Sequence, residues 1–526
     1  MSGISNWTQL FSLKSNLTPN KIVINEVDTK KSFTYKELEK QSENIKFFLL
    51  ENTKEYQIGL NYHNSFLFLA ALIGINKAGK LAVLFNNREP NKRQEELAKS
   101  SNTTIVLGDK IGCIKNYNIE RISSYKKLNT HNFIVENALD DPAFVIFTSG
   151  TSGPSKGALF SHRRMIGAGI AWSLRTGMNS VDNCYIPLPL YHGNALAVAF
   201  SSVIYSNSTA TIRIKFSTTA FFEDINQYKC THMVYIGELW RYILNRYTKN
   251  ENKYLKVIFG NGLNKILWND VVNRYKISHV VEHFGATEMP AGALTNWFDI
   301  SGYCGYLRSN DPKLNEMVLV DENYNNVEFG KYGEALFLVP SGEYKGYLDS
   351  SLDEAKLYRG LFKKGDLWWK SGDLLKSEEN GFFTFIERLG DTYRFKGENV
   401  ACVDVEYAIQ ESGLFEEVVV YGVELPGIDG KIGMVSLVLQ DKIDLKSFLI
   451  NLKSKISSHA LPYIIKLEKN KHKTTTTLKI QKNLLSKDGI KKYKESEHFV
   501  LIDGTYKVLD QLLYTKILNS EIILGK

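Results

Sequence analysis

The chain runs to 526 residues, 43% hydrophobic and 23% charged, an ordinary globular composition in a length that exceeds one hydrophobic core, so at least two domains are expected. The net charge of +8 is a mild excess; Lys453, Lys455, Lys466, Lys469, Lys471 and Lys473 gather toward the C-terminal end, a solvated face or a seat for an anionic small ligand or an acidic membrane surface, while the lack of aromatic–basic interleaving excludes nucleic acid as a partner. Five scattered cysteines without a C-x-x-C pair exclude a disulfide or zinc framework and point to free thiols in a reducing compartment.

In chain order, the start Met1-Ser2-Gly3-Ile4-Ser5-Asn6-Trp7 lacks a charged segment leading into an apolar run and reads as no signal peptide. Phe33 to Leu50 carries apolar positions at helical spacing, with Tyr35, Leu38, Ile45 and Leu49 facing inward. Gln57 to Tyr62 reads as a strand. The apolar run Phe66 to Ile75 is about half the length a spanning helix needs, so a buried helix is expected. Strands follow at Leu81 to Phe85, Thr104 to Leu107, Phe144 to Phe147, Cys184 to Pro187, Thr209 to Ile214, His232 to Ile236 and Lys256 to Phe259. Strands alternating with helices imply an α/β architecture of stacked, largely parallel sheet.

After Ser301, the short alternating strands Met317 to Val320, Glu334 to Val339 and Phe382 to Phe385 suggest a small antiparallel or β-barrel-like subdomain. A boundary is placed at 387/388, giving an N-terminal domain over 1–387 and a small C-terminal α/β domain over 388–526. Its elements are a helix from Val403 to Glu411, strands at Val418 to Gly422 and Met434 to Leu439, and a helix from Leu445 to His459.

The densest chemical signal is Phe147-Thr148-Ser149-Gly150-Thr151-Ser152-Gly153-Pro154-Ser155-Lys156-Gly157. Glycines let backbone N–H groups approach an anion, hydroxyls donate hydrogen bonds, and one lysine adds charge. A strand leads into the run, and the combination fits a loop that grips and releases a polyphosphate rather than a plain polar loop. It does not match the G-x-x-x-x-G-K-[ST] pattern of Walker-type ATPases.

This run resembles the phosphate-binding signature of the adenylate-forming enzymes, the superfamily of acyl-CoA synthetases, luciferases and peptide-synthetase adenylation domains, although Pro154 stands one position earlier than usual. Further motifs follow in order. Phe284-Gly285-Ala286-Thr287-Glu288 is similar to the adenine and magnesium motif; the resemblance implies that Phe284 meets adenine, Thr287 a phosphate oxygen and Glu288 a Mg²⁺ ion. Gly262, within Asn261-Gly262-Leu263, is expected to touch adenine. Ser371-Gly372-Asp373-Leu374 resembles the ribose motif, whereas Asp366 in the earlier Gly365-Asp366-Leu367 reads as structural. Arg388-Leu389-Gly390-Asp391 resembles the interdomain hinge, with Arg388 on ribose and phosphate and Gly390 and Asp391 at the pivot; the resemblance implies that the small C-terminal domain is mobile. Lys479 matches the adenylation lysine, and Gly397-Glu398 fits a loop that meets the site during thiol transfer. Pro187 to Asn194 resembles the motif beside the acyl pocket; His192 there approaches the carboxylate, caps a helix or packs in a turn.

Leu478 stands where most of the superfamily has glycine. The fatty acid transport protein and very-long-chain acyl-CoA synthetase family also carries an apolar residue there. Lys215-Phe216-Ser217, Tyr235-Ile236-Gly237-Glu238-Leu239-Trp240-Arg241-Tyr242 and Gly390 to Val400 are similar to that family as well, and the resemblance spans about residue 33 to 526. It implies ATP-dependent activation of a long or very long fatty acid to acyl-AMP and then acyl-CoA, with ATP and CoA as substrates and Mg²⁺ as cofactor. Catalysis would rest on Lys479, Thr148, Glu288 and His192. Tyr235, Gly237, Glu238 and Trp240 either line the acyl tunnel or form plain core, with Glu238 and Arg241 paired to each other. The alternatives are a sterol-derived or other bulky acid, a carrier-protein acceptor, and a non-enzymatic fatty acid uptake or binding protein. A cytoplasmic location is expected, with peripheral membrane contact as the alternative.

Overall fold

In a computed structural model of the protein, the residues described are 4–126, 135, 137–148, 156–290, 294–307, 317–339, 344–389, 393–395, 398–428, 430–440, 443–472, 480, 482–491, 493–495 and 497–525. Ser149, Gly150, Thr151, Ser152, Gly153, Gly390, Asp391, Gly397 and Lys479 lie outside them. The chain forms two compact units: 1–318 with 336–371 and 378–384, and 319–335 with 372–377 and 385–526.

Two sheets organise the first unit. The smaller runs in the order Lys115–Tyr117, Ile105–Gly108, Gln57–Asn61, Leu81–Leu84, Pro142–Thr148, Lys156–Ser161. Its pairs are parallel except the last, an antiparallel hairpin. The larger sheet has a parallel centre of His279–Phe284, Val257–Asn261, His232–Ile236, Asn183–Ile186, Thr209–Ile212 and Ile22–Glu26. Antiparallel strands extend it on both sides, Lys31–Thr34 at one and Leu294–Asn296 and Gly305–Tyr306 at the other. The parallel strands read as near-continuous apolar runs because both faces are covered. The sequence reading missed Ile22–Glu26 and His279–Phe284; the latter, HVVEHF, carries an acid and two histidines that mask its apolar character.

Helix Tyr35–Asn52 begins at a capping box: the Thr34 side chain accepts from the Glu37 N–H at 3.2 Å, and the Glu37 carboxylate accepts from the Thr34 N–H at 2.7 Å. The apolar helix Phe66–Lys77 is buried along nearly its whole length. It lies so close to Tyr35–Asn52 that a Cβ on Gly74 would stand 2.8 Å from Ile45 and from the Ser42 carbonyl oxygen. Among the described residues, no helix is long and apolar enough to cross a membrane.

The strands after Ser301 close into no barrel among the described residues, which corrects the barrel-like expectation. Phe382 and Phe383 pair with Gly305–Tyr306, and Leu357–Arg359 pairs with the start of Leu367–Ser377. Alternation in a sequence reports one buried face per strand; it does not report whether the first and last strands meet.

The second unit holds a five-stranded sheet in the order Phe415–Val423, Ile432–Leu439, Ile464–Glu468, His498–Ile502, Thr505–Val508, with helices Cys402–Gln410 and Leu445–Lys455. Gly422 and Gly433 make room for Tyr393: a Cβ on either would stand 2.3 Å from that side chain.

Candidate active site

The hairpin that carries the phosphate-loop motif pairs Thr148 with Lys156 and Phe147 with Gly157, so the loop between them is launched from two hydrogen-bonded strand ends. The Thr148 hydroxyl donates to the Lys156 carbonyl at 3.3 Å. A third segment joins this arm: Leu348 N–H donates to Gly157 O at 2.8 Å and Leu159 N–H to Gly346 O at 3.0 Å. That pairing brings Tyr347 to the site. Its hydroxyl donates to Glu288 Oε1 at 3.0 Å, and Lys156 Nζ stands 5.4 Å from its ring centroid. Asp353 braces the segment by accepting from Tyr347 N–H at 2.9 Å and Tyr344 OH at 3.1 Å. Arg164 lies near Glu288; burial pushes its guanidinium down to about 10, against the pull of the carboxylate. The sequence-predicted Thr148, Lys156 and Glu288 are therefore brought together by Tyr347, which the sequence reading missed. An aromatic in an isolated bridge to Ala158 has no local signal of its own.

Thr287 Oγ1 lies 3.6 Å from the position a Cβ would take on Gly193, so the small residue after His192 keeps space open beside the hydroxyl. Asn64, also missed, stitches this loop in place. Its amide donates to Leu188 O at 2.9 Å and Arg213 O at 3.1 Å, and its carbonyl accepts from Leu190 N–H at 2.8 Å. His192 follows at the turn, its N–H bonded to Pro189 O at 3.0 Å and its ring 4.6 Å from that of Tyr191.

Ile236 pairs with Asn261 at the strand ends, and Gly260 with Glu282, two residues before Phe284. Gly262 adopts φ +92°, a conformation that favours glycine. Its N–H and that of Leu263, the latter at 3.1 Å, donate to Glu282 Oε1, while Tyr235 OH donates to Glu282 Oε2. Burial pushes the Glu282 carboxyl up to about 8, against the pull of these donors. Phe284 stacks on Phe337 with ring centroids 6.0 Å apart. Beyond it Gly285 is exposed, and Ala286 accepts from Met289 N–H at 3.2 Å in the turn that presents Thr287 and Glu288.

Of the residues considered for an acyl tunnel, Tyr235 and Trp240 are fully buried. Trp240 packs on Phe221 at 5.8 Å and Tyr275 at 6.1 Å. Glu238 pairs with Arg241 at 3.6 Å.

In the second unit, Asp373 faces Arg388, with 3.3 Å from Oδ1 to Nε. Leu389 N–H donates to Gly372 O at 2.9 Å, which ties the two motif segments together. Glu398 lies in the hairpin strand Glu398–Val400.

Residues 11–348 match the family model described as AMP-binding enzyme. The chain belongs to this family. Among curated proteins, it is 34% identical over 353 residues to the medium/long-chain-fatty-acid–CoA ligase FadD6 of Mycobacterium tuberculosis, covering 64% of this chain and 58% of that one. It is 31% identical to long-chain fatty acid transport protein 1 of Mus musculus, covering 73% and 63%. The matches thus span about three fifths of the length of these relatives. Among solved structures, the O-succinylbenzoate CoA synthetase of Bacillus subtilis in complex with ATP and magnesium ion superposes with a TM-score of 0.77 at 20% identity, covering 92% of this chain and 99% of that one. This last similarity shows that the two chains share a fold.

Proposed function

We propose that this chain is an AMP-forming acyl-CoA synthetase acting on medium- to long-chain fatty acids. The observation that carries the reading is the Lys156–Tyr347–Glu288 array at the mouth of the hydroxyl- and glycine-rich hairpin. It sets a cation, a carboxylate and hydroxyl donors around one point, as a nucleotide polyphosphate requires. The names of the relatives support a fatty acid as the substrate and CoA as the acceptor.

Among the described residues, no three metal-capable side chains converge. Glu288 offers a carboxylate, which fits Mg²⁺, an ion commonly held by one or two carboxylates together with substrate phosphates. When bound, the ion neutralises phosphate charge. The chain's own groups do the positioning. Thr148, Thr287 and Lys156 would hold the β- and γ-phosphates, and Ser149 to Gly153 would supply backbone donors. Gly262, Phe284, Gly285 and Ala286 would border the base, and Asp373 and Arg388 would hold the ribose. The fatty carboxylate attacks the α-phosphorus, the bond to the bridging oxygen breaks, and pyrophosphate leaves. In-line displacement needs orientation and charge neutralisation rather than a protein nucleophile. Lys479 would stabilise the charge that develops at the α-phosphate, and His192 would orient the carboxylate. The CoA thiol then displaces AMP, with Gly397 and Glu398 on the thiol-transfer face and Gly390 and Asp391 as the pivot between half-reactions. Gly237 and Glu238 would stand at the acyl pocket, backed by Tyr235 and Trp240.

The test is a panel of acids from short to very long chain, incubated with protein, ATP, Mg²⁺ and CoA, measuring pyrophosphate and acyl-CoA. Acyl-CoA formation with peak kcat/KM for medium to long chains is expected. A protein that forms no acyl-CoA with any acid would overturn the reading.

A further inference from the structure

Three motifs that look independent in the sequence meet at one buried carboxyl group. Tyr235, Gly260 and Glu282 occupy registered positions on three adjacent parallel strands. The middle position has no side chain: a Cβ on Gly260 would stand 2.1 Å from the Tyr235 carbonyl oxygen and 3.0 Å from its ring. The phenol therefore crosses the central strand and donates to Glu282 Oε2. The other carboxyl oxygen accepts from the N–H groups of Gly262 and Leu263. On its far side, the same turn abuts Gly237, where a Cβ would stand 1.9 Å from the Gly262 carbonyl oxygen. Gly262 thus has its N–H clasped by Glu282 and its carbonyl backed by Gly237. In α/β folds the carboxyl ends of parallel strands are where ligands bind, and a turn fixed from both sides is set before a ligand arrives.

We propose that Glu282 is a positioning residue that presets the Gly262–Leu263 turn for the nucleotide base, with Tyr235 bracing the carboxyl group across Gly260. This rests on the assignment of Gly262 to the base-binding edge. Glu282 is itself buried beneath the turn and acts through it, so its removal alters base recognition rather than the chemistry at the α-phosphate.

The test compares wild type with Glu282→Leu, Glu282→Asp and Glu282→Gln, measuring ATP and GTP binding by calorimetry alongside steady-state kinetics. In Glu282→Leu the two turn N–H groups lose their acceptor. The Kd and KM for ATP are expected to rise about tenfold, the preference for ATP over GTP to shrink, and kcat to stay within about threefold. Glutamine restores the clasp, since its amide oxygen can face the two N–H donors while its NH₂ donates to the phenol oxygen; ATP binding within about threefold of wild type is expected. Should the leucine variant fail to fold, Glu282→Asp, one methylene shorter and unable to span phenol and turn together, is expected to show the same weakening. Unchanged ATP affinity and base preference in the folded variant overturn the proposal, as does a loss of active protein with unaltered KM. A wild type that binds ATP through this residue yet activates no acid discards the activity and keeps the clasp. A wild type that binds no ATP overturns both.

Discussion

Gly365-Asp366-Leu367 and Gly372-Asp373-Leu374 are the same three residues seven positions apart, and both glycines take positive φ, +89° and +73°. Both aspartates are buried, at 7% and 6% exposure, so burial does not distinguish them. Their partners do. Asp366 turns back on its own loop. It accepts from the N–H groups of Leu361, Phe362 and Lys363 at 2.8, 3.1 and 3.0 Å and from the Trp368 indole at 2.8 Å. Asp373 faces the Arg388 guanidinium, fifteen residues downstream. One carboxylate is consumed by local donors and holds a turn; the other is paired with a cation at the segment where the family resemblance places the ribose. A three-residue motif therefore carries no function by itself. The donors that the fold brings to it decide.

The largest expected effect breaks that pair. Asp373→Ala should lower kcat/KM for ATP about 100-fold, close to 3 kcal/mol of lost stabilisation, with little change in unfolding free energy. Pyrophosphate release and urea denaturation would be read on the same preparation. Asp366→Ala should do the reverse. It leaves four donors without their acceptor and should cost about 2 kcal/mol of stability, while KM for ATP in the folded protein stays at the wild-type value. If Asp366→Ala raised KM more than Asp373→Ala, the assignment of roles would be inverted.

Acid denaturation gives the smallest and most graded readout. Burial drives the Asp366 carboxyl up, but the Trp368 indole and three backbone N–H groups outweigh it and hold the pKa below the ordinary carboxylate value. Its contribution is present above the unfolded pKa and is lost as pH falls through the lower, folded one. Burial holds His162 and His283 neutral, pushing each down to about 4. At these two sites the unfolded chain binds protons between pH 6.5 and about 4 that the folded one refuses, so their contribution to stability falls over that window. Melts from pH 7 to 3 should show the histidine-linked decline first and the carboxylate-linked one below it. Asp366→Asn should shrink the second and leave the first unchanged, and an acid profile identical to wild type would contradict the assignment.

Much of the framework was legible along the chain. The α/β alternation, the helix with Tyr35, Leu38, Ile45 and Leu49 facing inward, the buried helix at Phe66 and the strand leading into Thr148 all follow from local periodicity; the sequence reading missed the Thr34 cap and the return strand Lys156–Ser161. The acid within His279–Phe284 was the one local clue to the Glu282 clasp, since a carboxyl in an apolar strand must find donors when it is buried. Its donors come from elsewhere: the phenol of Tyr235, 47 residues earlier, and the backbone beyond the neighbouring strand.

The sequence by itself determined the family, the order of the motifs and the residue types able to hold a nucleotide, because these depend on identity and short-range spacing. Only the tertiary structure decided that Tyr347 joins Lys156 to Glu288 across 59 residues, that Asn64 stitches the His192 loop, and that Asp366 and Asp373 part ways. Hydrogen-bond partners distant in sequence are selected by strand register and close backbone approach, and neither is written in the composition of the segments that take part.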